Sequence, residues 1–270
     1  MGKEEGKIPM KEPNKDEMDW EQFFQEEVDE DWEIEKKRRR RRKSLIVKIV
    51  GSLLALSLLI SGLQIWFNLF NIPAFHFIQV SQRLSNIPEV SEYKKAVVTI
   101  EWDNKKGTGF NINKDGLIVT NHHVVEDANI VNVHFKEKGT FVGKVISSNQ
   151  ELDLAIVDIE AESLPYLPLS LDKDWDKWLG DKIIFIGNPL AFTGIANEGT
   201  VTAKVMLQES AIPFMMIEAP IYKGNSGSPV INEDGEVIAV IFATISSGKN
   251  KKRVGVATPA HHLNKLFKKK

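Results

Sequence analysis

Between Ile49 and Phe67 nineteen consecutive residues carry no charge. They are Leu, Ile, Val, Gly, Ser and Ala, with one Gln before the closing Trp66-Phe67. As a helix rising 1.5 Å per residue they span roughly 28 Å, about the hydrocarbon thickness of a bilayer. Leu45 to Phe70 therefore reads as a transmembrane helix, with Lys48 snorkelling at one end and Trp66-Phe67 at the other interface. Just upstream, Lys36 to Lys43 is an unbroken basic run. Beside a membrane span such a run is a topological signal that keeps the N-terminus cytoplasmic, and a nucleic-acid reading loses its appeal. The leading segment is long and acidic and no A-x-A site follows, which argues against a cleaved signal peptide.

The expected organisation follows: a cytoplasmic tail over 1–43, a single span over 44–70 and a stalk over 71–92 that contains Pro73 and Pro88. A globular domain over 93–270 is placed outside the cytoplasm. Residues Met1 to Glu35 hold fourteen Asp/Glu against four Lys, the composition of a solvated tail. Trp20, Phe24, Val28 and Trp32 recur every four residues, with Phe23 beside them. A helix that binds a cytoplasmic partner or lies on the membrane therefore stays open. There is no cysteine, so a disulfide framework, a thiolate zinc site and a cysteine nucleophile are excluded.

From Ala96 onward, short β-rich runs are separated by Gly, Asn, Asp and Lys clusters. The expected strands are Ala96–Trp102, Thr108–Ile112, Leu117–Thr120, Ile130–Phe135, Phe141–Ser147 and Leu154–Asp158. After a connection containing Pro165, Pro168, Trp175 and Trp178 come Lys182–Gly187, Gly199–Val205, Phe214–Ala219, Pro229–Ile231, Val237–Ile245 and Val254–Ala257. Lys114-Asp115-Gly116 and Glu233-Asp234-Gly235 are turn signals at hairpin spacing. Six strands on each side of the connection predict an all-β fold of two similar barrels, ending in a short helix over Pro259 to Lys270 with Leu263, Leu266 and Phe267 on one face.

One turn in this array invites chemistry. In Lys223-Gly224-Asn225-Ser226-Gly227-Ser228-Pro229 a serine stands between residues flanked by glycines, which suits a tight turn that presents a hydroxyl together with free backbone N–H groups. A solvated turn between strands is the plainer reading. Two further features change the balance. An apolar strand ends in Thr120-Asn121-His122-His123, and Asp153 directly precedes the apolar run Leu154–Val157. A carboxylate against an apolar run needs a partner, and a histidine supplies one. Neighbouring positions on a strand face opposite ways, so the two histidines make a poor metal pair. The order His, Asp, Ser also differs from the Ser, acid, His order of α/β-hydrolases.

With these motifs the sequence resembles the HtrA/DegP-like serine proteases, the bacterial branch of the chymotrypsin-like superfamily. Gly107-Thr108-Gly109-Phe110 is similar to the family's G-S/T-G-F turn. Thr120-Asn121-His122-His123-Val124 is similar to its T-N-x-H-V motif, which selects His123 over His122. Leu152-Asp153-Leu154-Ala155, Gly187-Asn188-Pro189, Gly224-Asn225-Ser226-Gly227 and Val254–Pro259 match its D-L-A, G-N-P, G-N-S-G and G-F-A-I-P segments, and the likeness covers roughly residues 91–267.

The resemblance implies two six-stranded antiparallel chymotrypsin-like barrels and a serine endopeptidase acting on polypeptides without a cofactor or metal. Ser226 would be the nucleophile, His123 the base and Asp153 its orienter, with the N–H groups of Gly224 and Ser226 as the oxyanion hole. Pro220, Ile221, Ala243, Thr244 and Ile245 would line the specificity pocket. None of these is charged, so small or medium apolar side chains are expected before the cut. Misfolded or exported proteins are the implied substrates and a homotrimer the implied assembly; a chaperone or scaffold that keeps the fold without cleaving is the alternative. Two positions depart from the pattern: Ser228 replaces the second glycine of G-N-S-G-G, and Glu218 replaces a frequent Asp. No PDZ domain is expected after the last strand. Regulation then falls to the loops Leu190–Glu198 and Ser246–Arg253, to assembly, or to the tail.

Overall fold

The computed structural model describes residues 20–69, 73–189, 192–207, 210–247 and 252–267. The side chains at 20–31, 65–76, 246–247 and 252–253 lie outside the described set. Several expectations therefore concern residues beyond it: the apolar stripe at Trp20, Phe24 and Val28, the interfacial pair Trp66-Phe67, and parts of the loops Leu190–Glu198 and Ser246–Arg253.

The chain divides into two units, Met1–Asn71 and Ile72–Lys270. Among its described residues the first holds one helix, α1, over Trp20–Leu69. Its stretch from Trp32 to Gln64 is long and apolar enough to cross a membrane. Leu53, Leu58 and Leu59 are among its exposed apolar side chains, as a helix with apolar residues on every face requires if its solvent is lipid.

The second unit opens with two helices where a stalk was expected: α2, Pro73–Ser85, and α3, Pro88–Ala96. Neither proline breaks a helix. Each stands at the first position, where its missing N–H costs nothing and its fixed φ favours the helical turn. Phe77, Leu84, Val90 and Ala96 are buried, so this segment packs as part of the globular unit.

Twelve strands follow. β1 (Val97–Trp102), β2 (Lys105–Asn111) and β3 (Leu117–Thr120) lead to a one-turn helix α4 (His122–Val125), then β4 (Ile130–Phe135), β5 (Gly139–Asn149) and β6 (Leu154–Ile159). They close a barrel in the order β1-β2-β3-β6-β5-β4. After a 3₁₀ turn at Trp175–Trp178 come β7 (Lys182–Gly187), β8 (Ile195–Met206), β9 (Pro213–Glu218), β10 (Pro229–Ile231), β11 (Val237–Ser247) and β12 (Lys252–Pro259). These close a second barrel, β10-β11-β12-β9-β8-β7, with every strand pair in both barrels antiparallel. A 3₁₀ turn over Ala260–Leu263 and α5 (Asn264–Phe267) complete the chain.

The strands read as continuous apolar runs because both of their faces are covered. On β6, Ala155, Val157 and Ile159 fill the first barrel while Leu154 and Ile156 join a separate cluster with Phe110, Val119, Ile186, Ile231 and Val240. Successive side chains point to opposite sides of a strand. One set thus packs the barrel and the other packs barrel on barrel. A third cluster, including Ile183, Phe185, Met215 and Ile238, fills the second barrel. Leu84 and Val90 of the N-terminal helices and Leu263 and Leu266 of the C-terminal turn close the inter-barrel core.

His262 sits in that C-terminal turn, buried, with its ring centroid 4.0 Å from that of His261. Burial, and then the charges of His261 and Lys265, push its pKa down from 6.5 to about 4. The folded state therefore favours neutral His262 more than the unfolded chain does. Its contribution is complete above pH 6.5 and is lost as pH falls toward 4. At about 1.4 kcal/mol per pKa unit this amounts to about 3 kcal/mol. Urea unfolding of the detergent-solubilised chain at pH 7 and pH 4 tests it: the wild type should lose about 3 kcal/mol more than His262→Gln over that range, and equal losses would contradict the assignment.

Candidate active site

The three chemistry-bearing residues come from three loops at the junction of the barrels. His123 lies in α4, directly after β3 and Asn121. The one-turn helix replaces the extended strand end expected there, and it separates the two histidines by contact: His122 Nδ1 lies 3.0 Å from Ser148 Oγ, whereas His123 Nδ1 lies 2.6 Å from Asp153 Oδ2. The main-chain N–H of His123 also donates to Asp153 Oδ1, at 2.9 Å. Both oxygens of the carboxylate are thus committed to one histidine, which fixes the ring and assigns its Nδ1 as the donor. The aspartate is largely buried, while the imidazole is 44% exposed and open on its other edge.

Asp153 is held in a left-handed backbone conformation, φ +48°, uncommon for a residue with a side chain. Its surroundings keep it there. The Asn121 side-chain amide donates to the Asp153 carbonyl at 2.8 Å, and Asn149 Oδ1 accepts the Leu152 N–H at 3.0 Å. From the second barrel, buried Thr258 donates its hydroxyl to the Leu152 carbonyl at 2.8 Å.

Ser226 is half-buried on the turn before β10. The turn is docked on the first barrel through Thr108 of β2, which is fully buried. Thr108 N–H donates to the Ser226 carbonyl at 2.9 Å, and Thr108 Oγ1 donates to the Gly224 carbonyl at 2.7 Å. The same hydroxyl accepts the Asn188 N–H at 2.9 Å, and the Thr108 carbonyl accepts from Thr120 Oγ1 at 2.7 Å. Every polar group of Thr108 is therefore used, and β2, β3, the Gly187–Pro189 turn and the serine turn meet there. Gly227 has φ +86°, and a methyl group on it would overlap the Thr108 carbonyl oxygen. Only glycine allows the turn to come this close.

Within the turn the N–H groups of Asn225, Gly227 and Ser228 donate to Tyr222, Ile241 and Asn225. Those of Gly224 and Ser226 have no acceptor among the described residues. Among the same residues no hydrogen bond joins Ser226 Oγ to His123; both residues flank the Thr108–Thr120 contact from opposite barrels. Ser228 is fully buried over Gly187, where a Cβ would overlap both Ser228 Oγ and Asn225 Oδ1. The larger residue at 228 thus occupies room left by a glycine on β7. Ser228 Oγ and Asn225 Nδ2 have no partner among the described residues.

Beside Ser226 a cavity of about 190 Å³ is lined by Ile221, Tyr222, Lys223, Ile241, Phe242, Ala243 and Thr244. Ile221, Ala243 and Thr244 of the expected lining are brought together here. Pro220 is exposed and Ile245 lies further along β11, so neither belongs to it. Tyr222 and Lys223 were missed because a residue adjoining the serine turn was read as loop rather than wall. A larger cavity of about 450 Å³, lined by Arg83, Ile87, Glu198 and Glu233 among others, contains none of these residues. Among the described residues no group of three His, Asp or Glu side chains could hold a metal ion.

Two closed six-stranded barrels joined at a His–Asp pair and a glycine-flanked serine define the class of trypsin-like peptidase domains, and the family model described as "Trypsin-like peptidase domain" matches residues 107–240. Within that class its motifs are similar to those of the HtrA-like serine proteases. A "Probable periplasmic serine endoprotease DegP-like" of Chlamydia muridarum is 36% identical over 161 residues, 58% of this chain and 32% of the relative. A protein of the same description from Hahella chejuensis is 36% identical over 136 residues, 50% of this chain and 29% of its own. The chain spans about a third of the length of these curated relatives. Among solved structures, the inactive form of the Rv3671c protease of M. tuberculosis is similar, with a TM-score of 0.57 at 26% identity over 69% of this chain and 94% of that one.

Replacing Thr108 by the isosteric valine tests the docking contact. It strands the Gly224 carbonyl and the Asn188 N–H, at about 1–3 kcal/mol for each buried group left unpaired. Thr108→Val should lower unfolding stability by about 2–4 kcal/mol on that scale and speed amide exchange over 224–228 more than in the barrel strands. Uniform exchange across the domain would contradict it.

Proposed function

We propose that this chain is a membrane-anchored serine endopeptidase that works outside the cytoplasm through a covalent acyl-enzyme. The observation that carries the reading is the His123–Asp153 pair, in which both carboxylate oxygens hold one histidine through its N–H and Nδ1 while its ring stays 44% exposed. A histidine fixed in this way has one nitrogen free to take and return a proton.

Ser226 Oγ attacks the scissile carbonyl as His123 Nε2 removes its proton. The charge that develops on the carbonyl oxygen is met by the N–H groups of Gly224 and Ser226, which have no acceptor among the described residues. The imidazolium then gives its proton to the departing amine. Water attacks the acyl-serine with the same histidine as base, and release of the acid restores the hydroxyl. Asp153 stays ionised and holds the Nδ1–H tautomer throughout. The serine–histidine hydrogen bond, absent among the described residues, forms as substrate seats, since such contacts commonly tighten only in the complex.

The cavity beside Ser226 supports a preference for small or medium apolar side chains before the cut. Its volume is about 190 Å³, and the Ile221 side chain fills the space over Gly255, where a Cβ would overlap it. Lys223 on the lining adds repulsion against Lys and Arg. Anchoring is supported by the apolar stretch within Trp32–Gln64, and orientation by the basic run that precedes it. Misfolded or exported proteins are the substrate class this placement suits.

A fluorophosphonate probe and casein cleavage test the reading on the full chain in detergent. Wild type should label and cleave, and Ser226→Ala should abolish labelling and lower cleavage by about 10⁴-fold or more. Equal inertness of the two proteins would favour a non-cleaving chaperone. In a peptide library, cleavage after Ala or Val should exceed cleavage after Lys or Arg; the reverse order would overturn the assigned preference.

A further inference from the structure

Tyr222 lies on the wall of the cavity beside Ser226, and its carbonyl accepts the Asn225 N–H at 3.1 Å, so it also starts the serine turn. Its ring is backed from outside the barrel. Phe77 of α2 lies 5.1 Å from it, centroid to centroid, at an interplanar angle of 45°. Phe77 also meets Phe192 edge-on, at 5.8 Å and 77°. Within a helix read from sequence as a stalk, Phe77 has no exposed surface at all. The helix is seated by polar contacts too. Ser81 Oγ accepts the Ala196 N–H of β8 at 3.1 Å, and Arg83 pairs with Glu198 at 2.7 Å. α2 is thus fastened to β8 and also sets the Phe77 ring against Tyr222 of the cavity wall.

We infer that Phe77 is a positioning residue for substrate selection: it holds Tyr222, and through Tyr222 the segment 222–226, in the shape that forms the specificity cavity. The inference rests on the endopeptidase reading for its kinetic consequence but not for its structural one. Aromatic rings packed edge-on and tilted fix each other's orientation more narrowly than aliphatic contacts do. Removing Phe77 leaves a void behind Tyr222 that packed interiors fill by letting a neighbour shift. Tyr222, on the cavity wall, is one of the two rings that border that void, with Phe192 the other. Because Phe77 follows the end of α1 by only eight residues, this contact also makes the seating of the segment after the anchor a determinant of what the site accepts.

The test compares Phe77→Ala, the bulk-restoring Phe77→Leu, and Leu84→Ala in the full chain in detergent. Leu84 lies on the same helix but packs into the inter-barrel core, so its truncation reports mere loosening of α2. For peptides that differ only in the side chain before the cut, Phe77→Ala should reduce the ratio of kcat/KM between Val and Gly by about tenfold, the scale set by a few apolar contacts in a pocket. The loss should appear mainly in KM, Phe77→Leu should recover most of it, and Leu84→Ala should leave the ratio unchanged. Hydrogen exchange read in parallel should quicken over 222–226 in Phe77→Ala alone. An unchanged ratio, or an equal change in Leu84→Ala, would overturn the inference. If wild type neither labels nor cleaves, the endopeptidase reading falls, and the exchange data alone then decide whether Phe77 holds the turn.

Discussion

The serine turn of the second barrel is held in place by one residue of the first. Thr108 uses its N–H, hydroxyl and carbonyl together, donating to Ser226 and Gly224 and accepting from Asn188 and Thr120. Buried polar groups carry large penalties when unpaired, so these contacts stand or fall together. The alternating strand faces set the stage for them. Leu154, Ile156, Phe110 and Val119 on one side and Ile186, Ile231 and Val240 on the other fuse the barrels into one core. With the barrels fixed, Thr108 meets both the Gly187–Pro189 turn and the serine turn, and Gly227 lets the latter approach.

The His123–Asp153 pair depends on the same fusion. Asp153 occupies a backbone conformation its own sequence does not favour, φ +48°. Asn121 of the first barrel and Thr258 of the second hold the loop around it. The carboxylate then turns both oxygens toward one histidine. A strained residue stabilised by surroundings from two barrels is a natural place to store precise geometry, and neither barrel alone supplies all its supports.

Much of this was legible in the chain. Leu117–Thr120, Ile130–Phe135, Lys182–Gly187 and Pro229–Ile231 stand as strands at the residues their apolar runs and turn signals mark. Asp153 and Ser226 were marked by chemistry out of place, a carboxylate against an apolar run and a hydroxyl between glycines, whereas His123 was told from His122 only by the likeness of Thr120–Val124 to a family motif. The stretch over 71–92 was read as a stalk, yet Pro73 and Pro88 each stand at a helix's first position, where proline is a starter. Thr108 was visible only as part of a motif, although glycines flank it as they flank the serine. Nothing marked Tyr222 and Lys223 as cavity wall, because lining a cavity depends on what a side chain faces across space.

The sequence by itself determined the number of strands, the charge-free stretch over 49–67, and the residue types suited to acyl transfer, because these follow from local pattern and intrinsic chemistry. Tertiary structure decided which of two adjacent histidines meets the aspartate, which residues wall the cavity, why Ser228 fits over Gly187, and that Phe77 of the segment after the long apolar helix packs on Tyr222. Those outcomes depend on groups dozens of residues apart meeting at ångström distances. Only the closure of two barrels onto a shared core fixes such distances.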